Sequence, residues 1–468
     1  MFGEVLTPVQ HAGRRLCAGG KALSLTQITE SKAELVKGLI ERAPDSAIRS
    51  LLMALSADHG HDESLTRVQM MVEAEAGDRQ ARNFAFAPIA PLCAAPGPFS
   101  RLSFPPRTLA LIWRAMKDEA SAETDAARSL AYNWNSTESS PEVFDRLCAL
   151  AARGLRERQG PFAAVAALAD QGCGAESLAA CLDIAAVARR ALEQMPEWLG
   201  RMTSEKAAKL RLAYRDAVAI AEDAGPRFFE MLAAHLSEPW LILRIISGVM
   251  DRPSETYLAA SELATFGERV LDDIERQLAT ISAFKPTSGG QAAHLAANAV
   301  HTVTLEVAEL EQSIHLTPQG PWGKRLARQK QAMAATIEAQ MKGADAVVAQ
   351  ALPLQTLRMG PRTLRGVPRL THDPDPAQIE RATTLLTFMS EVRPSAAAGG
   401  FASARAKALE EVEQRLDSYV EHVLDEIRAD DGVDPDRARA FLEVAAQLCG
   451  LARDEQAAQI VRRRAAAA

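Results

Sequence analysis

Alternating apolar and polar residues, paired cysteines, aromatic residues and long apolar runs are all scarce in this chain of 468 residues. Each scarcity excludes something. Period-two alternation bounded by turn residues marks half-buried strands, so its near absence argues against a sheet protein. The six cysteines, Cys17, Cys93, Cys148, Cys173, Cys181 and Cys449, show no C-x-x-C spacing. That speaks against a disulfide framework and a cysteine zinc site, and reduced thiols in a cytoplasm are expected. The most apolar run, Trp240 to Met250, is interrupted by Arg244 and Gly248. It is about half the ~20 residues of a spanning helix, so no transmembrane segment is expected. The opening residues MFGEVLTPVQHAGRRLCAGG lack the apolar stretch of a signal peptide, and the expected location is cytoplasmic.

Chemical motifs are missing as well. The patterns G-x-x-x-x-G-K-[ST], G-x-G-x-x-G, G-x-S-x-G and H-E-x-x-H do not occur, so no phosphate-cradling loop, nucleophile elbow or helical zinc motif is implied. No catalytic residue and no cofactor follow from the sequence.

What is present is helix. Hydrophobic residues make up 47% and charged residues 24%, an ordinary globular balance dominated by Ala, Leu, Glu and Arg. Apolar residues recur at steps of three and four through almost every long segment. The fold class expected is all-α, built as several bundles or as an irregular solenoid of helical hairpins, with short coiled-coil-like seams. One seam is Val300, Val303, Val307, Leu310 and Ile314; another is Leu409, Val412, Leu416, Tyr419, Val423 and Ile427.

Composition divides the chain into a small helical unit over 1–82, a Pro-rich linker over 83–106 and a central helical domain over 107–352. A Pro/Gly/Arg-rich linker over 353–376 and an acidic helical domain over 377–468 complete it. Long helices are expected near 254–284, 290–316, 322–351 and 402–429. No fixed-period repeat aligns.

The strongest signal is a reversal of charge. Residues 324–369 hold nine cations, among them Lys324, Arg325, Arg328, Lys330, Arg358, Arg362, Arg365 and Arg369, against Glu338 and Asp345. Residues 405–436 hold eleven acidic residues against four basic ones. The two blocks have the signs to attract each other, or to attract partners of opposite sign. For the eight named cations three roles compete: pairing within the chain, recognition of an acidic protein, or contact with phosphates of an anionic membrane or nucleic acid. Nucleic acid ranks last, because the protein is acidic and only Trp322 is interleaved with the cations.

Asp58-His59-Gly60-His61-Asp62-Glu63 gathers metal-ligand types, which makes His59 and His61 metal candidates. A solvated loop that caps the next helix is the simpler reading. His294 and His301, two turns apart on one face, cannot close around one ion unaided. Arg244, inside an apolar run, is expected to snorkel to water, with a buried carboxylate partner as the alternative. The functional expectation is a non-enzymatic helical scaffold or adaptor that binds a protein partner. The alternatives are an enzyme with its site assembled between bundles in 203–351, and peripheral binding to phosphate surfaces through 322–369.

Overall fold

The computed structural model of the chain describes residues 30–57, 63–94, 99, 101–132, 142–250, 252–358, 364–429 and 434–468. Across them helix follows helix, packed against one another, as the periodicity predicts. The exception is one hairpin, Leu354–Arg358 antiparallel to Leu364–Pro368 with Gln355 opposite Val367. It lies inside the stretch that its Pro, Gly and Arg content marks as a connector. The chain forms two compact units, Met1–Ala90 with Pro105–Leu182, and Pro91–Phe104 with Asp183–Ala468.

The first unit opens with three helices, Glu30–Arg42, Asp45–Ala57 and Glu63–Ala85. Ile40, Ile48 and Val72 form their small common core. Arg79 ties the three together: its guanidinium donates to Asp45 at 2.6 Å and to the carbonyls of Ile40 and Ala43 at 3.1 and 2.8 Å. Those carbonyls lie at the end of the first helix, where backbone acceptors lack intrahelical donors. Five further α-helices follow among the described residues, and Glu142–Glu157 is the longest of them. Its apolar residues Val143, Leu147, Ala151 and Leu155 are spaced by four and face inward. Gly154 in this helix leaves room for the ring of Phe162.

The second unit is arranged around the helix Gly290–Ser313, which packs on Ala264–Ala283 and Pro376–Glu391. All five residues of its predicted seam are buried, and each contributes roughly 1.5–3 kcal/mol relative to exposure. The segment 254–284 is not one helix. It breaks into Glu255–Ala259 and Ala264–Ala283, because Ser261 Oγ donates to the Leu258 carbonyl at 2.8 Å and accepts from the Leu263 N–H at 3.2 Å. A hydroxyl that competes for backbone groups ends helices in this way. The acidic helix Ala402–Ala429 buries Val412, Leu416, Tyr419 and Val423 against Pro435–Ala452 and its neighbours. Phe99 is pinned to this unit by the buried Arg269, which donates to its carbonyl at 2.7 Å and pairs with Glu230.

Candidate functional site

The basic block starts at a helix terminus that is already satisfied. Gly320, the N-cap of Pro321–Met341, has no side chain to offer. Glu255 takes its place: Oε1 accepts from the Trp322 N–H at 2.7 Å, and Oε2 accepts from the Thr317 N–H and Oγ1 at 2.9 and 3.1 Å. Burial works to raise this carboxyl's pKa, but the donors outweigh it and hold the group below the ordinary glutamate range. The positive end of the helix thus already holds an anion and offers no free phosphate site.

Along this helix the predicted cations separate into two sets. Arg325 pairs with Asp272 and Glu275 at 2.7 and 2.8 Å, and Lys330 pairs with Glu311 at 2.7 Å. Lys324 and Arg328 are exposed and meet no carboxylate among the described residues. Arg369 is exposed too, while its backbone N–H closes the hairpin base on the Pro353 carbonyl at 2.9 Å. Arg358 and Arg365 stand in the two strands, with side chains outside the described residues; Arg362, His59 and His61 lie outside them altogether.

The basic and acidic blocks do not pair as blocks. The ion pair that joins them among the described residues has the signs reversed, Arg415 with Asp345 at 2.9 Å. The acidic helix draws its cations from the C-terminal helices: Arg453 holds Glu413 and Asp417 at 3.0 and 2.6 Å, and Arg464 holds Glu421 at 2.7 Å. Hydrogen bonding to Arg453 lowers the Asp417 pKa.

Two adjoining open clefts of ≈ 500 and ≈ 540 Å³ lie within 203–351, where an enzymatic site would sit, and they share Glu311, Ile314 and His315. His315 is held by its backbone, whose N–H donates to the Pro253 carbonyl at 2.7 Å. Lys330 and Glu311 largely cancel each other at the cleft wall.

Among the described residues a strongly perturbed acid lies elsewhere. Glu306 is fully buried beside Asp273, and burial first, then that neighbouring carboxylate, push its pKa up to about 10. Asp273 is in turn held by Arg276 at 2.6 Å. A neutral Glu306 avoids placing a second buried charge beside the Asp273–Arg276 pair. Arg244 does not snorkel. It turns inward to Glu309, which also accepts from Ser313 Oγ. His294 and His301 go to separate partners, Glu391 at 2.5 Å and Ser395 at 3.4 Å.

Sequence reasoning missed a group of exposed apolar residues in the first unit. Leu35, Leu39 and Met53 are 69%, 70% and 69% exposed, and Leu51, Leu65 and Met70 on the same three helices are exposed as well. Leu35 and Leu39, four apart, read as helix, but the wheel does not say which of two apolar stripes the neighbouring helices cover. No protein-family model, curated protein or solved structure matches this chain.

Proposed function

We propose that the chain is a non-enzymatic helical interaction module that docks a protein partner through its first three described helices. The observation that carries this reading is the exposure of Leu35, Leu39 and Met53 on helices that already have an interior of their own. Large apolar side chains concentrated on one small substructure mark association surfaces more often than scattered ones do. Burying one of them in an interface is worth roughly 1.5–3 kcal/mol before the costs of association.

The enzymatic alternative draws less support. Its clefts are open, and two of their charged groups, Glu311 and Lys330, are spent on each other. Binding to phosphate surfaces loses Arg325 and Lys330 to internal carboxylates and the helix terminus to Glu255. Lys324, Arg328 and Arg369 keep charge available for an acidic partner. Affinity capture with the full chain from its native host tests the reading: a protein that elutes in stoichiometric amount supports it, and a small molecule as the sole companion rejects it.

A further inference from the structure

Resting on that reading, we infer that the outer face of the helix Glu30–Arg42 is a seam for one amphipathic helix with acidic flanks, supplied by a different protein. Each residue advances a helix by about 100°, so Lys32, Leu35, Leu39 and Arg42 share one face, with Gly38 at its edge. The adjacent face carries Ala33 and Ile40, which are buried, and Val36, which is half-buried against the interior. Lys32 and Arg42 are exposed and meet no carboxylate among the described residues. Glu34 stands off the seam, and Glu41 is engaged by Arg114.

Gly38 is compatible with a close-packed occupant on this face. A glycine inside a helix is a cost that packing normally explains. Gly154 admits the Phe162 ring, Gly248 admits Met202 and Gly267 admits Trp322, whereas nothing among the described residues outside the helix's own backbone lies within 4 Å of a Cβ built on Gly38, as also on Gly77 and Gly290. The close approach that Gly38 permits is not used by the described chain. A partner backbone lying across Leu35 and Leu39 would use it.

Charge selects the occupant. In an antiparallel self-pairing Lys32 would face Arg42 of the second copy, and in a parallel one Lys32 would face Lys32, so like charges oppose a symmetric dimer through this face. Residues 1–29 carry Arg14, Arg15 and Lys21 against Glu4 and repeat the seam's own sign. An acidic amphipathic helix complements both cations while its apolar stripe covers the leucines.

The test uses the full chain and two labelled synthetic helical peptides with the same leucine stripe, one flanked by glutamates and the other by lysines, read by fluorescence anisotropy. The glutamate peptide is expected to bind more tightly. Leu35→Asp with Leu39→Asp should weaken it about tenfold or more, Lys32→Glu with Arg42→Glu should reverse the preference between peptides, and Gly38→Leu should weaken binding while the helix content stays. Equal binding of the two peptides, binding of neither, or binding untouched by Leu35→Asp with Leu39→Asp overturns the seam. Sedimentation that shows a dimer dissolved by that double variant also overturns it, in favour of a second copy. Affinity capture separates the two levels of the argument: a partner still captured by the double variant removes the seam and leaves the interaction module standing, whereas a wild-type chain that captures no protein removes the module itself.

Discussion

Glu255 caps a helix that begins more than sixty residues after it, its Oε1 accepting the Trp322 N–H at 2.7 Å where Gly320 has no side chain to do so. A local Ser or Asp at position 320 would be the usual solution. Because the cap comes from another segment, it also fastens the 255–259 helix to the start of the basic block.

Replacing Glu255 by Gln is therefore expected to cost about 1–2 kcal/mol near neutral pH. The folded pKa is lowered, so the contribution is present above the unfolded value and is lost as pH falls through the folded one. Urea titration of wild type and Glu255→Gln should show the gap narrowing on acidification; a gap that does not change with pH would assign the loss to packing instead.

Glu306 has the opposite sign. Its pKa rises from the ordinary 4.5 to about 10, so across that window the folded state holds a proton that the unfolded state releases. The group's contribution is full below the unfolded value and declines by ~1.4 kcal/mol per pH unit as pH rises toward the folded one. Glu306→Gln keeps the buried shape and removes the titration. Its stability relative to wild type should grow by a few kcal/mol between about pH 5 and about pH 9, as measured by denaturant unfolding, and a constant difference would contradict the buried neutral acid.

Two glycine-to-alanine changes inside helices should differ in sign. Gly38→Ala enters open space and should stabilise the chain by about 0.5–1 kcal/mol through helix propensity. Gly267→Ala places its methyl 2.5 Å from the buried Trp322 ring, so crowding should outweigh propensity and destabilise by about 1–3 kcal/mol. Thermal melts of the two variants check the pair, and a shared sign would show that the Trp322 contact is slack.

Arg244 and Glu309 form a pair whose carboxylate side is 3% exposed. Arg244→Met alone strands that carboxylate and should cost about 3–5 kcal/mol. Arg244→Met with Glu309→Leu should recover most of the loss, and a double-mutant cycle without coupling would show that the two act separately.

Much of this architecture was legible in the sequence, and the reason is local. Val300, Val303, Val307 and Leu310 are buried because their steps of three and four put them on one side of a helix. The same holds for Val412, Leu416 and Tyr419. The hairpin was not legible, since Leu354–Arg358 and Leu364–Pro368 are short, carry no clean alternation and sit among Pro, Gly and Arg. Nor were the long-range partners: Arg325 meets carboxylates some fifty residues upstream, and no spacing rule connects them. Charge blocks misled for the same reason, because ion pairing follows which helices touch rather than which segments have opposite totals. For the candidate seam, periodicity supplied the helix, and only the packing of its neighbours decided that Leu35 and Leu39 stay outside.

The most direct measurement is affinity capture by the full chain and by its Leu35→Asp, Leu39→Asp variant, with every eluted protein quantified against the bait. A partner protein held by the wild type in near-equal amount and released by the variant is the predicted result. Capture of no protein by the wild type, or retention of the same partner by the variant, would contradict the account.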